Sequence, residues 1–548
     1  MDKIWIDKYA ENIPGEISQI QYQSIIDLVD HASNKFPKHI SFSNLGSSLS
    51  FQDTRLYSER LAAYMSSELS IAKGDKVAIM LPNLLSFPVG FFGSLRLGAV
   101  VININPLFTS RELKNVLEDC EAETIIVLDK FLPELEPILN DTKISNIIVC
   151  RPSDLLSPLM KIVVSSILYF KGDYKSLNKG LISFSDIMNY KNKPPVVSIA
   201  RDDIALLQYT GGTTGKSKAA VLTHSNLLSN VHQLELWVKS IVKEGQEIII
   251  TALPLYHIFS LTVNLLYFYK IGAKNILITN PRNLKDFVKT LSKHRFTVIT
   301  AVNTLFNLLL TSSKFRNSNF ENLKFSVGGG MAVLKSTAKK WKDVTGCSIT
   351  QGYGLTETSP IVSVNPLSED FNGSIGLPLP STDVSIRDDN DQEVALGNTG
   401  ELCVKGPQVM KEYWNNIDET KKSFTDDGFF KTGDISKIDE NGFLYIVDRK
   451  KDMIISSGYN VYPNEIEDYV SNHDSVLECG VVGKPDLNRG ETIFLYVVKK
   501  QKDVTESEIA EYCKSGLTLY KRPKKIIFVN EIPKNNVGKI LRRKLRDL

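Results

Sequence analysis

Short apolar runs alternate with longer stretches of helical spacing through roughly the first 350 positions. Residues 22–70 read mostly as helix. The segment Lys73-Gly-Asp-Lys-Val-Ala-Ile-Met-Leu81 is a turn followed by a buried strand, which Pro82-Asn83 ends. A helix over 86–97 follows, then the apolar run Gly98-Ala-Val-Val-Ile-Asn-Ile104. Thr109 or Ser110 caps a helix over 111–119, and Thr124-Ile-Ile-Val-Leu128 makes a third strand. Strands alternating with helices at this spacing predict a parallel, doubly wound α/β sheet. Residues 151–200 lose the rhythm and carry Lys193-Pro-Pro195, the texture of an insert and linker, and the rhythm resumes at Asp203.

From 371 the pattern changes to Gly/Asp/Asn-rich turns between short strands, as in Gly400-Glu-Leu-Cys-Val-Lys-Gly406, which predicts a smaller antiparallel or distorted β-barrel region. A second change follows the charged pentapeptide Asp448-Arg-Lys-Lys-Asp452. Beyond it come a helix from Asn464, strands near 478–482 and 492–499, a helix over 505–515 and a strand over 525–530. The expected organisation is a large α/β body over 1–448, doubly wound sheets plus the distorted barrel, and a small mobile α+β domain over 449–548, hinged at about 448–452.

Composition narrows this picture. The chain has 548 residues, 42% hydrophobic and 23% charged, which excludes a disordered, collagen-like or disulfide-scaffold protein. Its 65 Lys and Arg nearly balance 62 Asp and Glu, so no basic surface for nucleic acid is expected. The balance is uneven along the chain. Residues 521–548 hold ten Lys or Arg against two acids, a local +8, and the first 520 residues carry −5. A slightly acidic body with a basic closing tail suits anionic ligands. The cysteines at 120, 150, 347, 403, 479 and 513 form no Cys-x-x-Cys or metal-ligand spacing and read as reduced core residues. Residues 1–9 contain no apolar signal region. Ile162-Val-Val-Ser-Ser-Ile-Leu-Tyr-Phe170 is shorter than the ~20 residues a membrane span needs. It lies between Lys161 and Lys171 and reads equally as an interfacial membrane-touching segment or as a helix of the insert.

The strongest chemical signal is Tyr209-Thr-Gly-Gly-Thr-Thr-Gly-Lys-Ser-Lys218, directly after the apolar strand 204–208. Gly211, Gly212 and Gly215 let main-chain amides approach an anion, Thr210, Thr213, Thr214 and Ser217 supply hydroxyls, and Lys216 and Lys218 supply charge. Such a loop suits polyphosphate. It is not a Walker A loop, which needs four residues between its glycines where Gly211 and Gly215 leave three. Ala219-Ala-Val-Leu-Thr-His224 then reads as a strand before Ser225 caps a helix, so the loop is expected to be a hairpin-like flap. Gln351-Gly-Tyr-Gly-Leu-Thr-Glu357 sets Gly352, Tyr353, Gly354, Thr356 and Glu357 on one turn. There a Tyr face can pack on adenine, Thr356 can bond a phosphate and Glu357 can hold a hard cation. Asp434, after a tight glycine, suits ribose hydroxyls, and Arg449 adds a fixed fork of donors. Lys539 lies in Asn535-Asn-Val-Gly-Lys-Ile-Leu-Arg-Arg543, inside the basic tail.

In this order, these segments resemble the AMP-forming adenylate synthetase superfamily of acyl-CoA synthetases, luciferases and peptide-synthetase adenylation domains. Leu253-Pro-Leu-Tyr-His-Ile-Phe259, Val327-Gly-Gly-Gly-Met331, Val447-Asp-Arg-Lys-Lys-Asp-Met453 and Ser457-Gly-Tyr-Asn-Val-Tyr-Pro-Asn-Glu-Ile-Glu467 extend the resemblance to the bacterial long-chain fatty-acid CoA ligases. The resemblance implies a two-step reaction. A fatty carboxylate attacks the ATP α-phosphate to give acyl-AMP and pyrophosphate, and the thiol of coenzyme A then attacks the acyl-AMP. It assigns Lys539 to the α-phosphate and carboxylate, Mg²⁺ to Glu357, Gly329 to the nucleotide side of the acid site, and His257 to a gate at the acyl pocket floor. It implies rotation of the small domain about Lys451, with Asp448 the second choice, after which Gly458, Tyr459 and Asn460 line the pantetheine channel. The expected partners are fatty acid, ATP and coenzyme A, with self-association as a homodimer and peripheral contact with the cytoplasmic face of the inner membrane, and no nucleic acid.

The acyl surface is drawn from 256–269 and 302–310, where aromatic residues at helical spacing read equally as core. Lys218-Ala219, Ser217 in place of the usual Pro, and Phe429-Phe430-Lys431 where Trp-Leu-His is common depart from the family pattern and bear on affinity. Alternatives are a medium-chain or aryl acid ligase, or a ligase loading a carrier protein. From other classes come a P-loop kinase, disfavoured by the glycine spacing, and a non-catalytic scaffold, disfavoured by the presence of Glu357, Asp434, Arg449 and Lys539.

Overall fold

The computed structural model describes residues 3–170, 180–210, 217–456, 459–486, 490–501, 503–535 and 538–548. A seven-stranded sheet runs Ile182–Ser183, Asn146–Cys150, Thr124–Leu128, Lys76–Met80, Val100–Asn103, Ile204–Thr210, Lys218–Thr223, parallel except for its last pair. Its strands read as near-continuous apolar runs because helices cover both faces. The helix Ser86–Arg96 is buried along its whole length, and its Phe87, Phe91 and Phe92 share one apolar cluster with Leu206, Leu222, Ile249 and Leu261. That cluster joins the first sheet to a nine-stranded one centred on Phe325–Gly328, Val298–Ala301, Ile248–Thr251 and Lys274–Leu277. The doubly wound α/β body expected from the strand–helix rhythm is present.

Two local expectations are corrected and one is refined. Residues 22–70 are mostly helical, as Ile25–Lys35 and Phe51–Leu69, but between these helices Ile40–Asn44 and Ser47–Ser50 form a hairpin. Leu45 and Gly46 turn it with positive φ, and its first strand joins the nine-stranded sheet beside Lys274–Leu277. The alternation is too short to stand out between two strong helices. Residues 151–200 are more than an insert, since Ile182–Ser183 extends the seven-stranded sheet and Pro158–Phe170 is helical. The helix after the glycine-rich loop is capped by Thr223 rather than Ser225, with Asn226 returning a bond to the Thr223 amide.

The barrel-like region is a four-stranded antiparallel sheet, Asp383–Arg387, Gly400–Lys405, Phe430–Ile438, Leu444–Arg449, tied to the rest by bridges at Gly376–Leu444 and Ala220–Tyr413. Past it, Val476–Asp486 and Gly490–Lys499 pair along their length and Lys525–Val529 joins them in parallel, with Pro463–Ser471 and Glu506–Gly516 as helices. The apolar clusters of this segment draw on no residue before Ile454. All six cysteines are free and buried.

Candidate active site

Strand ends assemble the site. Ile204–Thr210 and Lys218–Thr223 pair antiparallel with Thr210 opposite Lys218, so the intervening loop closes a hairpin. Gly211, Gly212, Thr213, Thr214, Gly215 and Lys216 lie outside the described residues. At the hairpin's base Thr210 Oγ1 donates to the Lys218 carbonyl, and Ser217 is exposed. The Tyr209 hydroxyl points elsewhere, donating to Asp119 Oδ2 at 2.5 Å, and burial together with this carboxylate pushes its pKa up. Lys218 pairs with Glu419 and stands 5.4 Å from the centre of the Tyr413 ring. Tyr413 in turn donates to Glu357 Oε1 at 2.7 Å.

Glu357 follows the strand Ile349–Gly354 on a short turn with Thr356. Gly354 is required by backbone approach rather than by a ligand, because a Cβ there would lie 1.8 Å from the Pro360 carbonyl oxygen. Gly352 has room for a small side chain, its added carbon meeting neighbours at 3.4 Å. At Gly329 an added carbon would lie 3.1 Å from Phe259, which brings the glycine run against the segment nominated for the acyl group.

On the neighbouring sheet, Phe430–Ile438 and Leu444–Arg449 pair Asp434 directly with Arg449. Gly433 takes φ +72° to turn Asp434 inward, and Glu401 accepts its amide at 3.0 Å. Asp434 is buried; its Oδ2 accepts from the Tyr353 hydroxyl at 2.6 Å and its Oδ1 pairs with Arg449 Nε at 3.2 Å. Burial, then the Asp434 charge, pushes the Tyr353 pKa well up, so the phenol stays neutral and donates. Thr432, Gly433, Asp434, Arg449, Lys450 and Lys451 line a cavity of about 290 Å³.

The C-terminal segment closes over this cavity. Gly538 has φ +83°, and a Cβ on it would lie 2.4 Å from Thr304 Oγ1 and 3.2 Å from Val302 Cγ2, so the Lys539 loop rests on the start of the helix Asn303–Thr311. Reciprocal bonds between Asn535 and Lys539, at 2.8 Å each, hold the loop's shape. Burial, then the charge of Arg449, lowers Lys539 to about 7, and Asp434 opposes the shift. His257 is lowered to about 4 by burial, then by Lys539, which leaves its ring neutral near pH 7. Lys539 is thus near the charges of Arg449, Asp434 and Lys451, and His257 is near Lys539. Gly458 lies outside the described residues, and of Tyr459 only the strand Tyr459–Val461 is described.

Residues without an obvious sequence signal complete the site. Tyr413 and Glu419 couple the glycine-rich hairpin to Glu357. Asn83, read from sequence only as a strand end, accepts from the Leu255 amide at 2.8 Å and donates to the carbonyls of Thr251 and Leu253 at 3.0 and 2.9 Å. It thereby fixes the segment that carries His257. A π-helical turn, Ser260–Tyr267, follows and points Asn264 at Thr251 and Thr300. Asn side chains give little warning of such roles because they are equally common in turns.

A glycine-rich segment between paired strands, a buried carboxylate paired with Arg and Tyr, and a lysine brought in by a separate C-terminal segment suit an enzyme that activates a carboxylate with a nucleotide. The chain belongs to the AMP-binding enzyme family: residues 29–414 match the AMP-binding enzyme domain and 465–539 the AMP-binding enzyme C-terminal domain. It is 46% identical to a long-chain-fatty-acid–CoA ligase of Salmonella typhimurium, covering 100% of this chain and 98% of that one. It is 45% identical, with the same coverage, to the enzyme of that name from Escherichia coli O157:H7. The crystal structure of an anthranilate CoA ligase in complex with anthranoyl-AMP superposes with a TM-score of 0.86 over 97% of this chain and 98% of that one. At 24% identity this likeness speaks for the fold.

Proposed function

We propose that this protein ligates a long-chain fatty acid to coenzyme A at the expense of ATP, through an acyl-AMP intermediate, with release of AMP and pyrophosphate. One observation carries the reading: end-to-end identity of 46% with a ligase of that name. In the first step two anions, carboxylate and α-phosphate, must meet. The useful groups are cations and donors placed where charge develops, and no strong base is needed. Arg449, with Lys539 near it, supplies positive charge beside Asp434, and Lys218 supplies it at the base of the glycine-rich segment. Asp434 serves the ribose hydroxyls while Tyr353 and Arg449 keep its carboxylate fixed.

Glu357 fits a hard cation. Its Oε1 is committed to Tyr413, its Oε2 takes no hydrogen bond among the described residues, and a single carboxylate plus phosphate oxygens is the usual Mg²⁺ setting. Bound there, Mg²⁺ would neutralise charge on the departing pyrophosphate. Among the described residues no group of three or more His, Cys, Asp or Glu forms a metal cage, in keeping with an ion that arrives with ATP.

The second step is read as a turn of the 449–548 unit about Lys451, which takes Lys539 away and brings Gly458, Tyr459 and Asn460 to the pantetheine arm. Asp448 is the poorer hinge, being fully buried and bonded on both sides. The product tests the reading: acids of increasing length, incubated with ATP and coenzyme A, should yield AMP and never ADP, with rates highest for long chains. A maximum with benzoate-like acids would move the substrate class, and ADP would remove the reaction.

Contact with a lipid surface, consistent with a peripheral place on the cytoplasmic face of the inner membrane, is supported by the helix Pro158–Phe170. It exposes Leu159, Ile162, Val163 and Ile167 around the single cation Lys161, although no described helix is long and apolar enough to cross a membrane. Flotation with anionic vesicles should carry the protein upward, and Ile162→Asp should reduce this several-fold. Equal flotation of the two proteins would discard this helix as the contact.

A further inference from the structure

We propose that two carboxylates on either side of the hinge, Asp448 capping a lid helix that has no cap of its own and Asp468 facing Lys335 at the interdomain cleft, are positioning residues that hold the Lys539 loop over the site during acid activation. The proposal rests on the reading of Lys539 as the cation of the first half-reaction. It concerns Asp448, on the body side of Lys451, and Asp468, on the other.

The first turn of a helix leaves amide groups without partners, and a side-chain oxygen just before the helix normally takes one of them. Pro463–Ser471 begins after Tyr462, which provides no side-chain bond. The acceptor comes instead from the body: Asp448 Oδ2 takes the Asn464 amide at 2.9 Å, and its Oδ1 takes the Arg449 amide at 2.7 Å. On the body side of the interdomain cleft the helix Lys335–Thr345 begins after Leu334. Asp468, on the exposed side of the lid helix, lies beside this cleft, where burial raises its carboxyl pKa and the nearby Lys335 charge opposes the rise. Lys335 and Ser336 line one wall of the interdomain cleft, and Ser471 and Asn472, at the other end of the Asp468 helix, line the opposite wall.

The link to Lys539 runs through Arg542, three residues further on. Its guanidinium donates to both oxygens of Glu467 at 2.9 and 2.8 Å and to Asn464 Oδ1 at 2.8 Å. The helix that Asp448 caps is therefore the one to which the end of the Lys539 loop is fastened. Asp448 is fully buried and also faces the Arg542 charge. Rotation about Lys451 would carry Asn464, Asp468 and Arg542 with the lid and leave Asp448 and Lys335 behind. Both contacts thus belong to the docked arrangement and favour it over the rotated one.

The test separates half-reactions in the full-length enzyme. Acyl-AMP formation is followed by pyrophosphate release without coenzyme A, and thioester formation is followed from supplied acyl-AMP. Asp448→Ala should slow the first by about tenfold, the range set by loss of a helix cap, Asp468→Ala should slow it as well, and both should leave the second unchanged or faster. Asp448→Asn, which keeps an acceptor, should recover part of the loss. Asp468 is exposed, so its variant decides the matter if Asp448→Ala does not fold. Equal slowing of both half-reactions, or an unchanged ratio in Asp468→Ala, overturns the proposal. Lys539→Ala run in parallel keeps the two readings apart. Acyl-AMP formation surviving in that variant removes the role of Lys539, whereas its loss beside an unchanged ratio in the Asp variants removes only the latch.

Discussion

Lys539→Ala should abolish acyl-AMP formation and leave thioester formation from supplied acyl-AMP close to the wild-type rate. Lys539 is brought to the cavity by a loop whose Gly538 sits against Val302 and Thr304, where no Cβ would fit. Its ammonium shares that space with Arg449 and Asp434, where carboxylate and α-phosphate must meet. Loss of one such charge-stabilising group typically costs about 10²–10³ in rate. Survival of acyl-AMP formation, or loss of both half-reactions, would refute the assignment. A pH profile gives a second reading of the same residue. Burial and Arg449 lower Lys539 to about 7 in the free enzyme, so kcat/KM for ATP in the first step should fall as pH rises through about 7. Lys539→Arg, which does not titrate there, should flatten that fall. Stability runs the other way. The folded value lies below the ordinary 10.5, so the unfolded chain binds more protons between about 7 and 10.5, and without nucleotide the docked loop gains stability across that window as pH rises.

Glu357→Gln should slow pyrophosphate release by about 10²-fold or more, the scale expected when a charge-stabilising group is lost, with little change in thermal stability. Gln keeps an oxygen for the Tyr413 hydroxyl, so the buried hydrogen bond survives while the negative charge that suits Mg²⁺ is lost. Glu357→Ala removes the acceptor as well. It should add a stability loss of about 1–3 kcal/mol, because Tyr413 is buried and would be left unpaired. Tyr413→Phe separates the two effects, since it should slow the reaction far less than Glu357→Gln. If Glu357→Gln behaves like wild type across a Mg²⁺ titration, Glu357 is not the cation's carboxylate.

Parts of the site were legible in advance because their chemistry is local. The glycine, hydroxyl and lysine content of 210–218 identifies an anion loop whatever the fold, and the spacing of its glycines separates it from a Walker loop. The antiparallel pairing of Thr210 with Lys218 agrees with a hairpin flap. Asp434 and Arg449, fifteen positions apart in sequence, become direct partners because a tight turn lays their strands side by side. Tyr209 went the other way. It belongs to the same motif, but the alternation of a strand sends its side chain to Asp119, away from the loop. Gly354 likewise serves the approach of Pro360.

The α/β body, the change of texture at 371, the charged pentapeptide at 448–452 and the basic tail are all readable along the chain. Each is a matter of short-range periodicity, turn residues or summed charge. That residues 40–50 form a hairpin joined to a strand more than 200 positions away emerges only from the folded chain. It alone shows Tyr413 bridging Lys218 to Glu357, Asn83 holding the His257 segment, and Asp448 capping a helix that is not its own. Those contacts join residues far apart in sequence, and their side chains, Asn, Asp and Tyr, are as much at home in an ordinary turn or core. Their roles follow from which amides and charges the fold leaves without a partner, and that is known only once the chain has closed on itself.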